Sequence, residues 1–229
     1  MKHRVQTSES FLIGAVLALS GGFMDAYSYL CRGEVFANAQ TGNLLLLGVS
    51  LASGQWATAL HYVCPIAAFV VGIALSDILR RHVAPKTQLH WRQYSLLLEI
   101  LCLFCVCFIS QKYNTAANSL TSLACGIQVE SFRKIHGNQI ATTMCIGNLR
   151  SATQNIGDYL AAKDKSALRR GLLYYAVILC FVCGAVLGNL CIGFLAERAL
   201  LVCCVLLLAA FCIMFIRTVK EQKTERKSL

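Results

Sequence analysis

The sequence predicts an all-α, polytopic membrane protein: about six transmembrane helices plus two short re-entrant or buried helical segments, arranged as an inverted repeat. Three observations predict it. Hydrophobic residues make up 57% of the 229 and charged residues only 14%, with a mean hydropathy of +0.60, whereas a soluble domain carries about a quarter charged residues. Several apolar runs are long enough to cross, or nearly cross, a hydrocarbon core of roughly 30 Å. An acidic residue ahead of a Gly-Asn pair also occurs twice at one spacing, Asp25 before Gly42-Asn43 and Glu130 before Gly147-Asn148. The runs lack the period-two alternation of a membrane β-barrel.

The first segment, 11–31, follows Lys2, His3 and Arg4 and at its start resembles a signal peptide. Apolar character continues to Leu30 past the small residues Ser20-Gly21-Gly22, so it is read as a retained span. The second, 39–54, opens on Asn38-Ala39-Gln40-Thr41-Gly42-Asn43 and is apolar only over 44–52. That core is about 13 Å long, less than half a bilayer. The third, 57–79, is a full span, and Trp56, His61 and Tyr62 at its entry read as interfacial anchors. The fourth, 94–110, holds Glu99 near its start, within snorkelling reach of Arg92 or Gln93. Segment 115–134 carries Gln128 and Glu130. Segment 140–160 contains Asn148, Arg150, Gln154, Asn155 and Asp158, too polar for a lone span. Segments 171–192 and 196–217 complete the bundle.

Basic residues set the topology. They cluster at Lys2/Arg4, 80–92, 133–170 and 217–227, and the formal net charge is +10. If the N-terminus is cytoplasmic and all of the first three segments cross, Arg80, Arg81, Lys86 and Arg92 fall outside. Treating 39–54 and 140–160 as re-entrant or buried leaves six crossings, puts every basic cluster on one side and makes both termini cytoplasmic. Each half, 11–110 and 115–217, then has an odd number of crossings, so the halves are oppositely oriented; 218–229 is a basic tail. The rival topology lets 38–56 span.

One offset matches Gly21 with Gly126, Asp25 with Glu130 and Gly42-Asn43 with Gly147-Asn148. After a short insertion, Phe69-Val70-x-Gly72 matches Phe181-Val182-x-Gly184. Acids inside membrane segments are costly and mark candidate proton or ion pathways; pairing with Tyr29, Arg32 or Arg133 is the structural alternative. Gly21, Gly22, Gly72 and Gly184 suit close helix packing. Gly42 and Gly147 suit a helix break beside Asn43 and Asn148, which with Thr41 can cap a helix start or contact an anion or polar group. Asp77, one turn before Arg80 and Arg81, reads as an intrahelical ion pair.

The thirteen cysteines lie mostly on uninterrupted apolar helices, without the turn and paired spacing of a zinc site, and read as packing residues. No nucleotide-binding Gly loop, His-Glu-x-x-His or Gly-x-Ser-x-Gly occurs. The chain is therefore expected not to be an enzyme, and no metal or cofactor is expected.

Gly21-Gly22-Phe23-Met24-Asp25-Ala26 and Val35-Phe36-Ala37-Asn38-Ala39-Gln40-Thr41-Gly42-Asn43 resemble the YoaK-like family of bacterial membrane proteins. So do Cys125-Gly126-Ile127-Gln128, Phe132-Arg133-Lys134, Thr142-Thr143-Met144 and Gly147-Asn148-Leu149-Arg150. The resemblance runs from about Phe11 to Ile216. It implies a multi-pass protein of the bacterial inner membrane with no assigned substrate or cofactor. Asp25, Thr41, Gly42, Asn43, Gln128, Gly147 and Asn148 match its motifs, while Ile146 stands where the first half has Thr41. The expected function is a small-molecule transporter or channel, with proton coupling as the role for the acids. Its pathway would use Asp25, Glu130, Thr41, Asn43, Asn148 and Gln128. The alternative is a non-transporting assembly or regulatory factor acting through the basic loops. Expected partners are the lipid bilayer and an unknown small solute or ion, not nucleic acid; a homo-oligomer stays open.

Overall fold

The computed structural model describes residues 7–82 and 90–227, with side chains for 8–82 and 90–216. Lys2 and Arg4, Lys86 and Gln88 of the basic loop, and the side chains of the basic tail at 217–227 lie outside the described residues.

Eight α-helices follow in chain order: α1 Phe11–Cys31, α2 Gln40–Ala52, α3 Trp56–His82, α4 Trp91–Val106, α5 Asn114–Ser131, α6 Cys145–Ala162, α7 Lys165–Leu195 and α8 Leu200–Lys227. Among the described residues, three stretches are long and apolar enough to cross a membrane: α1, α3, and Lys165–Arg198, which is α7 with the short turn that follows it. Shorter apolar helices are α2 and the Leu200–Ile216 part of α8. Backbone helix runs through most of the basic tail, so 218–227 continues α8.

Inside the bundle, α1, α4, α5 and α8 share one core, in which Leu17, Phe23, Met24 and Tyr27 meet Leu96, Leu103, Cys125, Cys203 and Leu207. Outside it, α3 and α7 turn Leu60, Val70, Ile78, Leu179, Val186 and Phe194 outward. Such apolar outer faces belong against hydrocarbon, where close backbone packing rather than water exclusion holds helices together.

That packing is visible at two crossings. Helix α3 lies against α5, and a Cβ on Gly72 or Gly126 would strike the carbonyl of Leu123 or Phe69 respectively. Helix α1 lies against α7, and a Cβ on Gly22 or Gly184 would strike the carbonyl of Phe181 or Leu19. The two crossings correspond residue for residue, Phe69 with Phe181, Gly72 with Gly184, Leu123 with Leu19 and Gly126 with Gly22. The sequence match of Gly21 with Gly126 is thus one residue out of register along α1.

Buried arginines tie the helix ends. Arg32, fully buried, donates to the Tyr27 hydroxyl (2.8 Å), Asn114 Oδ1 (3.3 Å) and the Val106 carbonyl (3.1 Å). It stands at the C-terminal ends of α1 and α4, whose partial negative charges stabilise a guanidinium without a carboxylate. Arg92 donates to the last carbonyl of α5, Ser131 O (2.9 Å), and bonds Ser8 and Glu9. At the Arg32 end, His61 bridges Gly33 O (3.1 Å) and Thr115 Oγ1 (2.9 Å), tying α3 to the loop after α1 and to the start of α5. Asp77 pairs with Arg80 and Arg81 as its spacing predicts.

A short hairpin, β1 Lys134–Ile135 and β2 Asn138–Gln139, follows α5. His136 and Gly137 both have positive φ (48° and 79°), the backbone of a two-residue type I′ turn. This element was not expected from the sequence.

Candidate functional site

Two short helices begin beside the middle of α1. After α1 ends at Cys31 the chain doubles back, so that Asn38 N–H donates to Asp25 Oδ1 (2.7 Å) and Asn38 Nδ2 donates to Gly21 O (2.9 Å). Helix α2 starts there, with Gln40 Nε2 reaching Ala37 O (2.8 Å) and Ser122 Oγ on α5 (3.5 Å), and runs about 20 Å back toward the start of α3. From the other end of the bundle, the chain after the hairpin brings Thr142 O and the Thr143 methyl against Gly21, where a Cβ would meet them at 3.2 and 3.3 Å. Helix α6 starts immediately after, and its first residue, Cys145, lies within electrostatic reach of Asp25.

The local cause of both folds is the same. Asn43 Oδ1 accepts from Phe36 N–H (3.0 Å), and its Nδ2 donates to Phe36 O (2.7 Å) and to Gln40 Oε1 (2.9 Å). Asn148 accepts from Ala141 N–H (3.3 Å) and donates to Ala141 O (2.6 Å). Each amide closes a loop onto the helix that follows it, replacing backbone partners an extended segment lacks away from water. The second clamp keeps 140–144 non-helical, so α6 begins five residues later than expected. Both asparagines are buried, and the bonds named here go to neighbouring protein groups.

The remaining expected residues divide. Gln128 is buried, donating to Leu17 O (3.0 Å) and Thr142 Oγ1 (3.1 Å), and so ties α5 to α1 and to the approach of α6. Gly21 faces the Thr142-Thr143 segment, Gly22 the α7 backbone, and Gly42 the Phe36 ring. Gly147 has open space around it. Thr41 is exposed in the first turn of α2, whose start has no side-chain cap. Glu130 is apart from Asp25: it pairs with its own helix's neighbour Arg133 (3.2 Å), whose side chain is 62% exposed. The one-residue register shift explains the difference, since it turns Glu130 about 100° away from the position equivalent to Asp25. Arg32 does not pair with Asp25 either.

Glu99 departs from its expected place. It is not near the end of α4 but about 12 Å along it, fully buried, with no hydrogen-bond partner for either oxygen. Its burial on the face shared with Ser95, Leu96, Cys102 and Leu103 was legible in the helical spacing; its distance from Arg92 was not. Among the described residues, no group of three or more His, Cys, Asp or Glu could hold a metal ion.

This arrangement presents the Asp25 carboxylate to the backbone that leads into α2, whose helix start favours negative charge. Comparison with known proteins adds its relationships. A family model described as protein of unknown function (DUF1275) matches residues 13–213. The UPF0700 transmembrane protein YoaK of Bacillus subtilis (strain 168) is 26% identical over 182 residues, covering 76% of this chain and 80% of that protein. No solved structure matches.

Proposed function

This chain belongs to the DUF1275 family of proteins of unknown function, and from that premise we propose that it is a small-molecule transporter or channel whose path passes Asp25. Its three long apolar helices and its transmembrane relative make it a membrane protein. In the proposed topology α1, α3, α4, α5, α7 and α8 cross the inner membrane of a bacterium. Helices α2 and α6 enter from opposite faces and return, and both termini are cytoplasmic. Hydrogen bonds group 9, 92 and 131 at one end of the bundle and 32, 61, 106 and 114 at the other, which supports that threading. An inverted repeat is supported by exchange of helix pairs: α1 with α7 mirrors α5 with α3, α2 with α3 mirrors α6 with α7, and α4 with α5 mirrors α8 with α1.

One observation carries the reading: the chain enters α2 through Asn38, bonded to Asp25 and Gly21, and enters α6 through Thr142-Thr143, packed on the same Gly21 of α1. Broken or half-length helices aimed at the bilayer midplane supply partial charges and backbone groups that a solute or ion can use where hydrocarbon offers none. Asp25 supplies the protonatable group, and Asn43 and Asn148 hold the frame. The test is flux through purified protein in liposomes, over a panel of small polar solutes and ions with internal pH recorded. The wild type moves at least one of them, and Asp25→Asn, still folded and monodisperse, loses that movement. No flux for any solute, or flux unchanged in Asp25→Asn, overturns the proposal and leaves a regulatory role through the basic loops as the better account.

A further inference from the structure

Glu99 is the strongest anomaly outside the break. It lies halfway along α4, at 0% exposure, and both carboxyl oxygens lack a partner. The titratable groups within electrostatic reach of it are Cys102 on its own helix, Cys125 on α5, and Cys203 and Cys204 on α8. No cation faces it among the described residues. On α1, Ser20 lies beside Cys203: Cys203 Sγ approaches Ser20 O at 3.8 Å, and the buried Ser20 hydroxyl is itself without a partner. Cys125 lies within reach of both Glu99 and Asp25 and touches Met24 Sδ at 3.7 Å.

Packing alone would favour Met or Leu at this place, because an unpartnered carboxyl is costly even when neutral and far more so when charged. A glutamate that makes no ion pair and no hydrogen bond gives the bundle nothing as a strut. What it adds over an amide of the same shape is a proton that can leave and return. We propose that Glu99 is a proton-binding site of the transport cycle, loaded in the state seen here and exchanging its proton with the aqueous side of the Asp25 break past Ser20 and Cys125. Release leaves a carboxylate that must gain a donor, a role the unpartnered Ser20 hydroxyl beside Cys203 can take. The site binds and gives up one proton with no other chemistry, and it reaches the transport function only if the Asp25 path does.

Infrared spectroscopy of the purified full chain in lipid reads the proton without any solute. The wild type should show the carbonyl band of a protonated, weakly bonded carboxylic acid at neutral pH. The band should shift on uniform ¹³C labelling of glutamate, remain in Asp25→Asn, vanish in Glu99→Gln and disappear reversibly as the pH is raised with the protein still folded. The isotope shift assigns the band even if Glu99→Gln fails to fold. A missing band, a band without a glutamate shift, or a band that persists until the protein unfolds overturns the proposal, the last by showing a proton locked in place. Flux in the same liposomes separates the two ideas. If a titrating Glu99 accompanies proton-linked flux that Glu99→Gln leaves intact, its place in the cycle is overturned while the Asp25 path stands. If the wild type shows no flux at all, the transport reading itself fails.

Discussion

Asp25 and Glu130 occupy matching places in the sequence and unlike places in the molecule. Asp25 accepts a backbone N–H on the approach to α2, whereas Glu130 pairs with an exposed arginine just past the end of α5, an interaction worth about 0–1 kcal/mol at most. The doubled acid was legible in the sequence, but its register was not, because a one-residue slip along a helix leaves the composition of a motif intact while rotating it to another face. The Asn pair survived because each amide bonds a backbone group seven positions upstream, a purely local relation. His90 offers a test at this scale. Its Nδ1 accepts from Arg92 N–H (3.3 Å) while Gln93 returns a bond to His90 N–H (3.0 Å), capping α4. Burial first, then the Arg92 charge, holds its imidazole below the ordinary value of 6.5, with Glu9 opposing. Below that value the unfolded chain takes up a proton that the folded chain resists, so this contribution is whole above pH 6.5 and falls as the pH drops toward the lowered folded value. Thermal unfolding in detergent should show a melting temperature that declines by a few degrees on acidification in the wild type. The decline should be smaller in His90→Asn, whose cap does not titrate; equal slopes would mean the cap contributes nothing.

Among the elements, the crossings and the breaks follow different rules. Helices α1 and α7 touch backbone to backbone at Gly22 and Gly184, so Gly22→Leu cannot be accommodated by a side-chain rotation and should prevent recovery of monodisperse protein. Gly22→Ala should cost about 1–3 kcal/mol. Gly147, helical and unobstructed, should instead accept Ala with no loss and a gain of up to about 1 kcal/mol in helix propensity. Recovery of Gly22→Leu and melting curves of the two alanine variants check this, and a Gly147→Ala loss equal to that of Gly22→Ala would contradict the packing described. Helix existence was legible from apolar length, and the two short helices from their polar openings. The hairpin after α5 was missed because Ile135-His136-Gly137-Asn138 falls in the short gap between segments 115–134 and 140–160, where apolar length predicts no element. The inner position of α4 and α8 was equally hidden, since apolar helices facing lipid and facing protein use the same residues.

At the scale of the whole molecule, the account is of two similar halves of opposite sense whose short helices meet at α1. Composition pointed to the class, and the placing of basic residues is the ground for the proposed threading, because the cost of moving charges across a bilayer is written into the loops. What stayed out of reach is which faces meet, and with it the isolation of Glu99. The central claim is most directly tested by labelling single cysteines in a background without the thirteen native ones, using a membrane-impermeant thiol reagent on intact cells. One probe goes at Ser53, between α2 and α3, and the other at Lys165, the start of α7 after α6. The account predicts that Ser53 labels from outside and Lys165 only after the membrane is opened. Labelling of both from the same side would contradict it.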